Sequence, residues 1–152
     1  MTVAVVAALC VRYLLVVLFL PFSALDKTFD FRNAVKQAQQ VFAHPLAVVL
    51  ILVGLAVEVF CTLGVVTGVA DRACAFVLAG YCMVTAVLFK PFWAQADFWS
   101  TPDGKGRSLF WDFLKNFSLA GGFLLIVTGT DGAGLMPFLH QPLASSRPYP
   151  WN

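Results

Sequence analysis

Apolar residues in this chain run together rather than recurring at helical or strand spacing, in four blocks from Val3 to Leu25, Leu46 to Ala70, Ala73 to Trp93 and Leu109 to Gly129. A helix that is hydrophobic all round belongs in lipid or in the middle of a large protein. At a rise of 1.5 Å per residue, roughly 20 residues cross a hydrocarbon core of about 30 Å, and each block is long enough. The pattern predicts an all-α integral membrane protein with spanning helices near 3–25, 46–70, 73–93 and 109–129. Between them lie a polar loop from Asp26 to Pro45, a tight Asp71-Arg72 turn and a second polar loop from Ala94 to Ser108. The short turn favours antiparallel neighbours, hence an up-down four-helix bundle over residues 1–135 followed by a tail over 136–152. Small residues at Gly64, Gly68, Gly80, Gly121 and Gly122 suit close helix approach in lipid.

Composition agrees: 60% of the 152 residues are hydrophobic and 12% charged, with a mean hydropathy of +0.82. A net charge of +2 is too small to suggest nucleic-acid binding. The first block lacks a basic n-region, is interrupted by Arg12 and offers only Phe22-Ser23-Ala24 as a cleavage site, so it is expected to be retained rather than removed as a signal peptide. An even number of spans puts both termini on one side. Lys27, Arg32, Lys36, Lys105 and Arg107 fall on the opposite side, against Arg72 and Arg147 on the terminal side. The positive-inside rule then makes the two larger loops cytoplasmic and places both termini on the non-cytoplasmic face of a cell inner membrane. Within the first loop, Phe31 to Phe42 reads either as an amphipathic helix on the membrane surface or as a plain connection. The tail carries Pro137, Pro142, Pro148 and Pro150, which favour an extended polyproline conformation, while Tyr149 and Trp151 suit docking on a partner or lying at the interface.

Two charges stand out because they are deep. Arg12 lies nine residues after Val3, about 14 Å into the membrane, and Glu58, about 18 Å from the other face when counted from Leu46, comes out level with it. An unpaired charge at that depth costs several kcal/mol, so the expectation is a buried Arg12–Glu58 pair facing the bundle interior. A second polar layer nearer the loop face gathers Asp26, Lys27, Lys90, Asp112, Lys115 and Asn116. Two roles are open to this spine: a strut that fixes helix register, or a proton path or headgroup site.

Other chemistry is thinly signalled. Cys10, Cys61, Cys74 and Cys82 form no Cys-x-x-Cys pair, His44 and His140 fall on opposite faces, and no metal-ligand cluster is expected. Phe89, Phe92, Trp93, Trp99 and Trp111 bracket the second loop, either as an interfacial belt or as the wall of a quinone pocket beside Lys90 and Lys115.

The stretches "RYLLVVLFLPFSALDK", "GLAVEVFCTLGVVTGVADRA" and "LKNFSLAGGFLLI" carry a combination of Arg12, Ser23, Lys27, Gly54, Glu58, Gly64, Arg72, Lys115 and Asn116, followed by Gly121-Gly122, that resembles the DoxX family of small four-helix membrane proteins. The chain departs from the usual pattern at Ala24 and Cys61, where glycine is common, and at Pro21. The resemblance implies a subunit of a redox or electron-transfer membrane complex. The missing cofactor ligands, the packing glycines and the proline-rich tail favour a chain that holds no cofactor itself and anchors and stabilises such an assembly among other membrane subunits, with the tail 136–152 as a contact. The alternative is a quinone-interacting or proton-relaying subunit similar to the small subunit of thiosulfate:quinone oxidoreductase. Whether the chain is itself an enzyme stays open at this stage. A transporter fits less well, since repeats and broken helices are lacking.

Overall fold

The computed structural model describes residues 3–100, 102–129 and 134–149, which are helical with no strand among them. Four stretches are long and apolar enough to cross a membrane, Val3–Phe29, His44–Thr67, Asp71–Ala94 and Lys105–Thr128. Their ends lie within four residues of those expected from the apolar blocks. The largest shifts are at the end of the first span, which continues past Leu25 to Phe29, and at the start of the fourth, which begins at Lys105 rather than Leu109.

That span has three parts: α1 (Val3–Val16), a π-helical segment (Leu18–Ala24) and α2 (Leu25–Phe29). Pro21 lies inside the π segment. Having no N–H and a ring that crowds the preceding turn, proline cannot continue an α ladder, and a widened turn accommodates it. Helix α3 (Phe31–Ala38) follows a break at Asp30, whose carboxylate accepts a 2.7 Å bond from the Asn33 side chain. Val35 and Ala38 are buried against Ala47 of α4 (His44–Thr67), with Phe31, Phe42, Ile51 and Phe89 packed around them. The amphipathic segment is therefore a short helix that ends at Ala38 and is folded onto the bundle.

The third span comprises α5 (Asp71–Phe89) and, past Lys90 and Pro91, a 3-10 turn over Phe92–Ala94; the fourth is α6 (Lys105–Thr128). Arg12 meets Val65 while Lys27 meets Glu58, and Gly64 meets Cys74 while Gly54 meets Tyr81. The first span thus runs opposite to α4, and α4 opposite to α5. The core between them holds Val16, Phe19, Val65, Leu78, Cys82, Phe123 and Val127.

Not every glycine serves close approach. A Cβ on Gly64 would collide with the Cys74 sulfur, and one on Gly122 would lie 2.7 Å from Leu15. Gly80 and Gly121 face open space, contrary to the expectation for them. Gly68, at φ +80°, ends α4 in the left-handed conformation that glycine adopts without cost.

The last carbonyls of α4 have no partner inside their own helix. Arg12 donates to the Val65 carbonyl at 2.7 Å, and the Tyr149 hydroxyl donates to that of Val66. Burial raises the Tyr149 phenol above its ordinary value, which keeps it a donor. Arg12 also pairs with Asp71 at 2.7 Å and donates to the Ser146 hydroxyl at 2.8 Å. Asp71, 0% exposed, accepts from the Ser146 hydroxyl at 2.5 Å and from the Ser146 and Arg72 backbone N–H groups at 2.9 and 3.0 Å. The tail is therefore a strap over the end of its own bundle. It is not extended throughout: Met136–His140 forms α7, because Pro137 falls in the first turn, where a missing N–H costs nothing. Phe138 packs on Phe76 with ring centroids 5.4 Å apart. Pro150 and Trp151, singled out in the sequence, lie outside the described residues.

Removing the carboxylate of this clamp should be costly. Asp71→Asn strands Arg12 in an apolar setting, an effect of about 3–5 kcal/mol when one member of a buried pair is lost. Thermal unfolding in detergent should show a large drop, with partial recovery on adding Arg12→Gln; an unchanged midpoint would show that the clamp is dispensable. A second expectation contrasts two glycines. Gly64→Val should destabilise by about 1–3 kcal/mol through overpacking on Cys74, whereas Gly80→Ala should be neutral or stabilising in the same melts.

Candidate functional site

Glu58 sits in the middle of α4 and is 1% exposed. Three donors converge on one of its oxygens, Oε1: Lys27 Nζ at 2.5 Å, the Tyr81 hydroxyl at 2.6 Å and the Ser23 hydroxyl at 3.1 Å. Lys27 Nζ also donates to Ser23 Oγ at 2.7 Å and reaches the Tyr81 oxygen at 3.4 Å. The other carboxylate oxygen, Oε2, is buried and has no hydrogen-bond partner. Lys27 and Glu58 thus form a buried ion pair whose carboxylate is partnered on Oε1 and bare on Oε2.

The expected Arg12–Glu58 pair does not form. Both side chains are buried, at 8% and 1% exposure, but each has another partner. Helical side chains tilt toward the N-terminus of their own helix. Arg12 accordingly leans toward the terminal face, where Val65 and Asp71 lie, and Lys27 leans back into the membrane toward Glu58. In the oppositely running α4, Glu58 leans toward Lys27 and away from Arg12. Counting depth from the ends of apolar runs misses this, because it levels the Cα atoms and ignores the direction in which long side chains reach. Asp71 read only as part of a turn, and Tyr81 and Ser146 were not singled out, Tyr81 lying within the third apolar block and Ser146 in the tail.

Lys27, Ser23, Glu58 and Tyr81 form the deep end of a cavity of about 550 Å³ between the first span, α3, α4 and α5. Its walls are apolar, from Phe19, Ile51, Val57, Val84, Leu88 and Phe89. Farther toward the loop face, Asp26, Asn33, Gln37, Lys90 and Asn116 also line it. The presumed second layer is thereby divided. Lys27 belongs to the Glu58 cluster, and Asp26 and Asn116 to the cavity wall. Asp112 bridges Lys90 at 3.2 Å and Lys115 at 3.5 Å, with the Lys115 side chain 75% exposed.

Of the five aromatic residues proposed as a quinone wall, Phe89 alone lines this cavity. Pro91 ends the helix beyond it, and the turn at Phe92–Ala94 carries the chain onto α6. Phe92 there contacts Trp93, Phe98, Phe110 and Phe113, with centroids 5.0–5.4 Å apart. Trp93, Trp99 and Trp111 are exposed, Trp99 at 89%, which is the placement of a headgroup-level belt. The pocket's polar base lies elsewhere, on the first span, α4 and α5. Among the described residues, no group of three or more His, Cys, Asp or Glu side chains converges as a metal centre would require.

Comparison with known proteins returned no match among curated proteins and none among solved structures. The family model described as DoxX matches residues 7–91, a segment holding Arg12, Ser23, Lys27, Glu58, Asp71 and Tyr81. With more than half of its length matched, this chain belongs to the DoxX family of membrane proteins.

Proposed function

We propose that this protein is a membrane subunit of a redox complex that holds the headgroup of a quinone-class carrier in the cavity above Glu58. The observation that supports it is an ion-paired carboxylate with one oxygen unpartnered at the base of an apolar-walled cavity large enough for a substituted aromatic ring. Intramembrane ionisable residues are expensive and mark proton or ligand paths by default. DoxX membership adds the association with redox and quinone-related complexes. Glu58, through its hydrogen bonds to Lys27, Tyr81 and Ser23, is placed to hold or pass a proton at the headgroup. Electrons enter or leave through a partner subunit. Anchoring of that partner is part of the same reading, with the tail strap and the exposed aromatic belt as the surfaces offered. In this proposal the basic loops face the cytoplasm and both termini the opposite side of an inner membrane.

Purification in mild detergent tests it. Lipid extracts of the chain purified anaerobically should contain the carrier, as quinone or quinol, in near-stoichiometric amount, alongside co-purifying redox subunits. Ile51→Trp, which fills the apolar wall, should reduce the bound carrier at least tenfold while leaving the melting temperature within a few degrees. Carrier retained by that variant, or absent in both redox forms from the unaltered protein, would sink the headgroup reading.

A further inference from the structure

The hydrogen-bond inventory at the base of the cavity is one-sided. Lys27 has three N–H donors and three oxygen neighbours within 3.4 Å, on Ser23, Glu58 and Tyr81. The Ser23 and Tyr81 hydroxyl hydrogens are both directed to Glu58 Oε1. All the donors of the cluster are therefore committed. What is left is an acceptor, Oε2, on a residue 1% exposed that lines the cavity.

A bare carbonyl brought to this place meets lone pairs with lone pairs. A cation would meet the Lys27 ammonium, which already neutralises the carboxylate. A neutral group that donates a hydrogen bond completes Glu58 without either conflict, and a bond to an ionised acceptor is among the stronger ones. Farther out, Gln37 and Asn116 carry amides that both donate and accept, so they do not discriminate between hydroxyl and carbonyl at the outer end of a ring.

Resting on the reading of this cavity as a headgroup site, we infer that it is selective for the hydroxyl-bearing form of the carrier: a quinol or other phenol whose O–H donates to Glu58 Oε2, in preference to the quinone. The cavity discriminates redox state by hydrogen-bond polarity, and the reduced carrier is its ligand.

The test is a tail-matched series bound to the purified full-length protein in detergent under anaerobic, reducing conditions where needed: a short-chain quinol, its quinone, the redox-inert phenol and the methyl ether of that phenol. Calorimetry should give quinol and phenol affinities at least about tenfold tighter than those of quinone and ether, the scale expected when a charged acceptor gains or lacks its donor. Glu58→Gln puts an amide in place of the acceptor-only carboxylate and should reduce the phenol-to-ether ratio to roughly twofold or less. If that variant does not fold, the phenol-to-ether ratio of the unaltered protein decides alone. Equal binding of phenol, ether and quinone would overturn the donor inference while leaving the headgroup site in place. Binding of none of the series would overturn both.

Discussion

Charge in a low-dielectric slab must be matched, and the architecture of this bundle follows from how it is matched. The first span carries two cations, Arg12 and Lys27, and each finds a carboxylate on a different helix, Asp71 at the start of α5 and Glu58 in α4. One pair lies at the terminal end of the bundle and the other near its middle, and together they hold the first span in register against its neighbours. The apolar surface supplies no such register, because lipid tails are as good a solvent for leucine and valine as another helix is.

The two pairs differ in completeness, and that difference separates a strut from a site. Around Arg12, the guanidinium reaches Asp71, the Val65 carbonyl and the Ser146 hydroxyl, and both oxygens of Asp71 are taken. A network satisfied on all sides contributes rigidity and offers nothing to a ligand. The tail takes part in it, so the residues after α7 secure the bundle before they meet any partner. Around Glu58 the same kind of pair is left open on one oxygen and borders a cavity. Of the two buried ion pairs, one is thus closed on itself and the other faces the cavity.

Pro21 links the two regions. It sits in the widened π segment between Arg12 and Lys27, and that segment leads into α2, the break at Asp30 and α3. Helix α3 folds back against α4 through Val35 and Ala38 and forms one wall of the cavity. The loop that read as a choice between surface helix and connection therefore helps to build the site.

Four spans, their limits and the inward burial of Arg12 and Glu58 were determined by the sequence alone, because lipid solvation is a property of each segment's composition and length. The same was true of membership in the DoxX family, carried by spaced charged and small residues. Pairing was decided only by the tertiary structure. Lys27 and Tyr81 joined Glu58, and Asp71 and Ser146 joined Arg12, because partner choice depends on the direction in which each side chain leaves its helix and on the relative height of helices. Neither quantity is encoded in the apolar pattern. The cavity likewise lay away from the aromatic cluster that seemed to announce it, since aromatic residues mark an interface and a pocket with the same letters. Only packing distinguished the belt around Trp99 from the wall that ends at Phe89.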